Sequence, residues 1–339
     1  MRLHISQKSD IVFHTRFILS PTLTFVEGFV IIIDMKKLRV GVVGLGRLGS
    51  VHSRIYSELK NVELAGVCDI DKAAASRAGS ELKTACFSDH KDLLKQNIEA
   101  VSIVTPTYLH YSTAKFFLDN GVHCLIEKPI TAKLSEAGKL VKLAKKKGLI
   151  LQVGHVERFN SAIQAIEKIL PKPRFIEAHR LGPFTPRVKD VGVVLDLMIH
   201  DIDIILGLTK SKIRDIQAVG MKILTKHEDI ANARIRFENG AVCDLTASRV
   251  TDDTLRKIRI FQKDCYISLD YVTQEALVYR KIKNKIVPEK IDIKKERPLT
   301  KELVSFVSCV INKTRPVVSG VEAYNALSVA HRILRKLKV

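Results

Sequence analysis

LRVGVVGLGRLG, residues 38–49, joins a short valine-rich run to a loop with glycines at positions 44, 46 and 49. The run has the length and composition of a buried strand. The glycine spacing suits a tight turn, a close approach of the backbone to a pyrophosphate, and close packing of the next helix on the strand. The stretch therefore predicts a strand, a phosphate-binding turn and a helix whose N-terminus faces the anion.

The alternation of short apolar runs and amphipathic helices continues outward from this stretch. Further strands are predicted at residues 62–69, 84–87, 100–104, 123–127 and 150–154. Strands that alternate with helices in this way form a parallel sheet covered on both faces. We therefore predict an α/β fold whose N-terminal part, residues 35–155, is a doubly wound Rossmann domain.

The regular alternation of strands and helices ends after residue 155. Asn160 is expected to cap a helix that runs to Leu170, and a buried helix is expected over residues 193–206, ending at Gly207. Strand-like runs follow at residues 216–224, 231–237, 241–247, 257–261 and 265–269, with a hairpin signal at Asn239-Gly240 and two closing helices near 300–311 and 321–336. Residues 156–339 are therefore predicted to form an α+β domain with a large, mostly antiparallel open sheet, whose C-terminal helix can pack back on the Rossmann domain.

Residues 1–34 do not fit this organisation. Their apolar pieces are short and interrupted by Arg16 and Glu27, so they resemble neither a membrane span nor a signal peptide. The sequence from Met35 reads like a natural start. We expect residues 1–34 to be an extension outside the fold that arises from an upstream start codon.

Composition limits the function classes. Of the 339 residues 46% are hydrophobic and 27% charged, which is typical of a globular protein, and the formal net charge is +20. The basic residues are spread along the chain without a nucleic-acid motif, so we interpret the charge as a surface that favours anionic ligands. The six cysteines are far apart and lack metal-ligand spacing, which indicates a reducing cytoplasm and no metal site. We expect neither nucleic-acid nor membrane binding.

Asp69 refines the prediction for the glycine loop. It lies 20 residues beyond Gly49, at the end of the next predicted strand. A carboxylate at that place would accept hydrogen bonds from the ribose hydroxyls of a dinucleotide and would repel a 2′-phosphate. The pattern therefore favours NAD over NADP.

Three further motifs carry chemically active side chains. Residues 105–110, TPTYLH, follow the fourth strand, and residues 127–129, EKP, follow the fifth, at the edge where doubly wound sheets bind ligands. In the buried helix, Asp196, His200 and Asp203 are spaced to share one face, where polar groups need partners or a water-filled cleft. A lysine at the end of the fifth strand, Lys128, is expected to point into the cleft beside the nicotinamide.

With these motifs in order, GLGRLG, CDID, TPTYLH, EKP and DLMIHDID, the chain from Lys37 resembles the glucose-fructose oxidoreductase / inositol dehydrogenase / rhizopine catabolism (Gfo/Idh/MocA) family. The resemblance implies an NAD-dependent dehydrogenase acting on CH–OH, with Lys128, Asp196 and His200 as the catalytic set and Glu127 at the nicotinamide ribose. The cofactor-binding residues that it implies are Gly44, Gly46, Arg47, Leu48, Gly49, Asp69, Thr105, Pro106, His110, Glu127 and Lys128.

Residue chemistry agrees with this role. His200 could take the proton of a secondary hydroxyl, and Lys128 could stabilise the developing alkoxide. Which of the two is the base remains open at the level of sequence.

Residues 153–160, 181–190 and 245–249 are similar to the branch of the family that oxidises the 3-hydroxyl of UDP-N-acetylglucosamine. In that branch an aminotransferase uses the 3-keto product on the way to a diamino sugar of lipid A. The expected substrate-binding residues are Arg158, Asn160, Arg187, Asp196 and His200, and Lys189 and Arg249 would also suit a diphosphate.

Other functions remain possible from sequence alone. They are a dehydrogenase of inositol, a free sugar or an acidic UDP-sugar, a non-catalytic NAD-binding sensor, and a nucleic-acid-binding protein. The exposed face of the second sheet would leave apolar area in water, so a homodimer or homotetramer is expected.

Overall fold

The computed structural model describes residues 36–170, 172–185 and 191–337, together with the backbone of four two-residue strands before them. Leu3–His4 pairs with Ile32–Ile33 and Phe25–Val26 with Phe29–Val30, and neither pair joins the two large sheets. The expectation for residues 1–34 otherwise falls outside the described residues. So do those for Arg187 and Lys189.

The first half alternates strands and helices around one parallel sheet. Its elements are β1 (Leu38–Val43), α1 (Arg47–Glu58), β2 (Val62–Cys68), α2 (Lys72–Leu82), β3 (Ala85–Phe87), a 3₁₀ helix (His90–Gln96), β4 (Ala100–Ile103), α3 (Thr107–Asp119), β5 (His123–Glu127), α4 (Leu134–Lys147) and β6 (Leu151–Gly154). The six strands are ordered β6-β5-β4-β1-β2-β3 and all neighbours run parallel. Because β1 lies between β2 and β4, the winding reverses there, and the crevice outside the strand ends at that point is a ligand site. The predicted Rossmann fold is confirmed.

The second half is built on an eight-stranded sheet. Its elements are a 3₁₀ helix (Val156–Phe159), α5 (Ser161–Glu167), β7 (Phe175–Leu181), a π-helical turn (Val194–Met198), α6 (Ile199–Thr209), β8 (Ile213–Met221), β9 (Ile230–Phe237), β10 (Val242–Ser248), β11 (Leu255–Phe261), β12 (Cys265–Asp270), β13 (Glu275–Ile282), β14 (Lys285–Lys290), α7 (Pro298–Asn312) and α8 (Gly320–Leu334). The order is β8-β9-β10-β7-β11-β12-β13-β14, with β7 and β10 parallel and the other neighbours antiparallel. The predicted mostly antiparallel sheet is confirmed.

The core joins the two halves. Along β9 every second residue is buried, which places one face of the second sheet against the interior and leaves the other exposed. Helix α7, from the C-terminal part of the chain, contributes Leu303, Phe306 and Val307 to one buried cluster with Val40 and Val42 of β1. The parallel sheet therefore receives part of its cover from residues far beyond the predicted domain boundary.

Two predicted helix ends are wrong. Asn160 does cap α5 by accepting a hydrogen bond from Ala162 N, but the helix ends at Glu167 rather than Leu170. Helix α6 continues past Gly207 to Thr209, and Lys210 takes the left-handed conformation that follows it. Gly207 is a close-packing residue, because a Cβ there would lie 2.1 Å from Nη1 of Arg158.

No helix among the described residues has the length and apolar character needed to cross a membrane. In the same part of the chain, no group of three or more His, Cys, Asp or Glu side chains is arranged to hold a metal ion. All six cysteines carry free thiols.

Candidate active site

The glycine loop leaves open space at the N-terminus of α1. Gly44 has φ +90°, and a Cβ there would lie 2.5 Å from Val104 O, while a Cβ on Gly49 would lie 1.8 Å from Gly44 O. These two glycines permit the turn and the packing of the helix on the strand. A Cβ on Gly46, by contrast, would meet nothing within 4 Å, and Gly46 as N-cap residue offers no side chain to the first turn. Free backbone N–H groups beside an open volume fit the pyrophosphate of a dinucleotide.

Asp69 is held against this loop at the end of β2. Its carboxylate accepts hydrogen bonds from Leu45 N at 2.6 Å and from Asp71 N at 2.9 Å. Backbone N–H donors on both oxygens fix the orientation of the carboxylate without cancelling its charge. The acidic group therefore lies beside the glycine loop, at the place where the motif predicts a ribose.

In the TPTYLH segment, Thr105 and His110 have different surroundings. Thr105 Oγ1 is buried and has no hydrogen-bond partner among the described residues, which suits a donor or acceptor on a bound ligand. His110, predicted to bind cofactor, is buried instead, with Nδ1 2.9 Å from Pro129 O and Nε2 2.8 Å from Thr105 O. Its ring links the end of β4 to the turn after β5, and burial lowers its pKa. His110 is therefore a structural residue here, because its ring is enclosed between the Thr105 and Pro129 carbonyls and the single N–H of the neutral imidazole donates to one of them.

Lys128 and Asp196 form the centre of the site. Lys128 follows β5, and its Nζ donates hydrogen bonds to Asp196 Oδ1 at 2.9 Å and to Asp196 O at 2.7 Å. Asp196 lies in the π-helical turn before α6, a local irregularity often found at functional sites. Both side chains are about one-fifth exposed, so a ligand can still reach them. The structure therefore brings the end of β5 into contact with the turn that precedes α6.

His200 lies one turn beyond Asp196 and is kept neutral. Burial lowers its pKa well below the ordinary value, and the positive charges of Lys128 and Arg180 lower it further. Its Nδ1 is buried with no hydrogen-bond partner in the described chain. The ring of His155, buried at the end of β6, lies edge-on to it with 6.2 Å between centroids. Burial also lowers the pKa of His155, to about 3, so two neutral imidazoles lie side by side.

A cavity of about 460 Å³ joins the two domains at this point. Asp196, Lys128 and His200 line it together with residues from the glycine loop and the second sheet. Its charged lining residues are Arg47, Lys128, Glu157, Arg180, Asp196, Arg249 and Arg256. Cations outnumber carboxylates on these walls, so the cavity favours an anionic ligand.

Two predicted substrate residues lie elsewhere. Arg158 points away from the cavity, with its guanidinium 3.6 Å from Glu167 and 3.9 Å from Asp203. Asn160 is buried as the cap of α5 and donates to Tyr271 O at 3.0 Å. Asn160 is a structural residue because other residues of the chain occupy its polar atoms, whereas Arg158 has a buried Nε without a hydrogen-bond partner among the described residues and does not line the cavity.

Asp203 also leaves the face that it was expected to share with Asp196 and His200. In an α-helix Asp203 lies about 60° around the axis from His200, and the π-helical turn that contains Asp196 interrupts the regular spacing between Asp196 and Asp203. Asp203 uses that offset to face Arg158, and burial raises its pKa to about 7.

Sequence reasoning missed Arg180 and His52. Arg180 is buried in β7 and binds Asp201 through two hydrogen bonds of 3.0 Å each and Glu157 at 2.9 Å. The sequence contains a pattern that could have indicated Arg180, since it occupies an inward position in the alternating strand FIEAHRL. His52 is fully buried three residues after Gly49, with Nε2 3.4 Å from Glu127 Oε1. It lies behind the carboxylate that was predicted to contact the ribose.

Comparison with known proteins gives a consistent result. Residues 38–155 match the oxidoreductase family with an NAD-binding Rossmann fold, and residues 169–267 match the GFO/IDH/MocA C-terminal domain. The UDP-N-acetylglucosamine 3-dehydrogenase of Acidithiobacillus ferrooxidans is 36% identical, across 88% of this chain and 97% of its own length. A crystal form of that enzyme has a TM-score of 0.85, covering 89% of this chain and 98% of the other.

More distant relatives include the scyllo-inositol 2-dehydrogenase (NAD(+)) of Bacillus subtilis, 27% identical across 86% of this chain and 92% of its own. The scyllo-inositol dehydrogenase of Lactobacillus casei with bound NAD(H) and scyllo-inositol shares the fold, with a TM-score of 0.76 at 20% identity, over 89% of this chain and 97% of the other. The chain therefore belongs to the GFO/IDH/MocA family and is a sugar or inositol dehydrogenase with an NAD-binding Rossmann domain.

Proposed function

We propose that this protein oxidises the 3-hydroxyl of UDP-N-acetylglucosamine to the 3-keto sugar with NAD. The observation that carries the proposal is the cation-rich cavity, in which Lys128, Asp196 and His200 lie next to the glycine loop. An anionic nucleotide sugar suits such walls better than neutral inositol does. Similarity to the Acidithiobacillus enzyme supports the same substrate, and the 3-keto product would be ready for transamination toward a lipid A diamino sugar.

The residues divide the chemistry between them. When bound, NAD accepts the hydride from the carbon that carries the reacting hydroxyl. Lys128 has three N–H donors and gives two of them to Asp196, which leaves the third for the substrate oxygen. His200 is neutral and can accept the hydroxyl proton. Asp196 holds Lys128 in place, so we assign His200 as the base and Lys128 as the group that stabilises the alkoxide.

Preference for NAD over NADP follows from Asp69. Its carboxylate is fixed by Leu45 N and Asp71 N and keeps its negative charge beside the glycine loop. A 2′-phosphate at the same ribose would meet that charge directly.

The direct test is a substrate panel. Purified protein with NAD is incubated with UDP-N-acetylglucosamine, an acidic UDP-sugar, myo-inositol and a free sugar, and both NADH formation and the mass of the product are recorded. We expect the first compound to lose two hydrogens and to give the highest kcat/KM. Turnover of inositol without turnover of any UDP-sugar would overturn the proposal.

Replacing Lys128 tests the assignment of the site. The variant Lys128→Met removes the donor to the alkoxide, so kcat should fall by roughly 10²-fold or more. NAD affinity, measured by calorimetry, should remain close to that of the wild type. Lys133→Met is a matched control, since the Lys133 side chain is 76% exposed and its Nζ lies 3.9 Å from Glu136 Oε1. Equal activity in the two variants would contradict the role of Lys128.

We also propose that the exposed face of the second sheet joins two copies of the chain. The aromatic rings of Phe175, Phe261, Tyr266 and Tyr279 stack across β7, β11, β12 and β13 on that face, with centroids 4.8–5.5 Å apart. On the same sheet, the edge strand β8, which is separated from β7 by β9 and β10, exposes Val219 and Met221 by 63% and 56%. Apolar and aromatic area of this kind supports a homodimer, or a tetramer made of two such pairs.

A further inference from the structure

Most of the basic side chains in the cavity already have carboxylate partners. Lys128 pairs with Asp196 at 2.9 Å, Arg180 with Asp201 at 3.0 Å, and Arg249 with Asp229 at 2.7 Å. Their charges are largely balanced within the protein. Each of the three therefore attracts an anion less strongly than an unpaired cation on the same wall would.

Arg256 differs from these three. It lines the same cavity, and no carboxylate of residues 36–170, 172–185 or 191–337 lies within 4 Å of its guanidinium. Its side chain is exposed. In the pairing of β7 with β11 it stands directly opposite Arg180. Arg180 has its own carboxylate partners, Glu157 and Asp201, so Arg256 adds a positive charge at this position that no carboxylate of the described residues balances.

The position of Arg256 on its strand directs it to the site. Ile258 and Ile260 of β11 are buried on the inner face, and Arg256 lies two residues earlier on the same face, where the cavity begins. Its positive charge acts on His200 and contributes to the lowered pKa of that imidazole. Arg256 is therefore near the reacting groups without belonging to the Lys128–Asp196 pair.

We propose that Arg256 binds the diphosphate of the substrate and selects nucleotide sugars over neutral ones. This inference rests on the proposed function. In a nucleotide sugar the diphosphate is attached at C1 and the reacting hydroxyl at C3, so the anion lies about one sugar ring from the oxygen that Lys128 and His200 receive. A guanidinium pairs with phosphate oxygens through two parallel hydrogen bonds, which fixes the orientation of the ring as well as its affinity.

The test compares Arg256→Gln with Arg259→Gln. Arg259 is on the same strand but on the opposite face, where it pairs with Glu177 at 3.2 Å outside the cavity. Binding of UDP and of uridine to the NAD-loaded protein is measured by calorimetry at several salt concentrations. We expect Arg256→Gln to weaken UDP binding by roughly 10- to 100-fold and to flatten its salt dependence, with uridine binding unchanged. Arg259→Gln should behave like the wild type.

The possible failures are distinguishable. If the wild type binds UDP and Arg256→Gln binds it equally well, the role of Arg256 is overturned while the nucleotide-sugar substrate stands. If the wild type binds no UDP, the proposed substrate fails and this role of Arg256 fails with it. An equal loss of UDP and uridine binding would mean that Arg256→Gln disturbs the cavity as a whole, which also contradicts the proposal. Melting temperature and NAD affinity, recorded for both variants, show that each protein is folded.

Discussion

At the scale of single residues, the environment of His200 decides what it can do. A histidine at a surface is partly protonated near neutral pH. In this protein burial has the largest effect on His200 and lowers the pKa of the imidazole. The positive charges of Lys128 and Arg180 lower it further. The residue therefore begins the reaction as a neutral acceptor. Lys128 donates two of its N–H groups to Asp196, and it begins the reaction as a hydrogen-bond donor to the substrate.

This arrangement predicts the pH dependence of the reaction. Because the pKa of His200 is lowered in the folded protein, the neutral base persists as pH falls below 6.5, and activity is lost only when pH approaches the lowered value. The acid limb of kcat/KM should therefore lie below pH 6.5. His200→Asn should lose this limb and at least tenfold in kcat. An acid limb at or above pH 6.5 in the wild type, or the same limb in His200→Asn, would contradict the assignment of His200 as base.

Sequence could predict only some of the site residues. The EKP and DLMIHDID motifs imply Lys128, Asp196 and His200 through the family resemblance, and strand ends and helix spacing explain where their backbones lie. Arg158 was assigned to the substrate because a basic residue near the site suits a diphosphate, yet it turns toward Glu167 and Asp203. The direction of a long side chain depends on partner charges in the packed structure, and a motif does not contain that information.

At the scale of elements, Gly207 and Gly138 are helical glycines with different surroundings: a side chain fits at position 138 but not at position 207. Gly207 in α6 admits the Arg158 guanidinium, since a Cβ would lie 2.1 Å from Nη1. Gly138 in α4 is not constrained in this way, because its Cβ would lie 3.4 Å from the nearest atom, Cε2 of Tyr324.

Alanine at the two positions should therefore change stability in opposite directions. Gly207→Ala must displace the end of the half-enclosed Arg158 side chain, at a cost of about 1–3 kcal/mol that the helix gain of about 0.5–1 kcal/mol offsets only in part, so the free energy of unfolding should fall. Gly138→Ala should raise it by about 0.5–1 kcal/mol, since glycine is a poor helix former. Urea unfolding of both variants measures the difference. A stabilised Gly207→Ala would show that Arg158 can move at little cost, and the packing argument for α6 would fail.

Element types were easier to predict from sequence than element ends. The parallel strands alternate with helices, and that order fixes both their type and their common direction. Glycine at position 207 predicts the end of α6, but the helix continues past it. The glycine is needed there because a side chain would collide with Arg158. Strand β7 is not among the strands predicted from sequence, although Ala178 and Arg180 on its inner face alternate with half-buried neighbours. An arginine at an inward position interrupts the alternation of apolar and polar residues that indicates a strand. Its charge can be buried because it pairs with Asp201.

At the scale of the whole molecule, the two sheets have different surroundings. The parallel sheet is covered by helices on both sides, including α7 from the distant end of the chain. The second sheet has helices on one face, and its other face carries the stacked row of Phe175, Phe261, Tyr266 and Tyr279. Aromatic rings in one register row add stacking to the sheet, and they also give a flat surface that a second copy can cover.

A single charge in the middle of this row should separate two copies. Tyr266 stacks on both Phe261 and Tyr279, at 4.8 and 5.2 Å, so Tyr266→Glu places a carboxylate at the centre of the proposed interface. Light scattering after size exclusion should then give the mass of a monomer, or of a smaller assembly than the wild type. Tyr108→Glu is the control, because Tyr108 is 74% exposed on α3 of the other domain. An unchanged mass for Tyr266→Glu, in a variant that still binds NAD, would mean that the aromatic row stabilises the sheet alone and that the copies meet elsewhere.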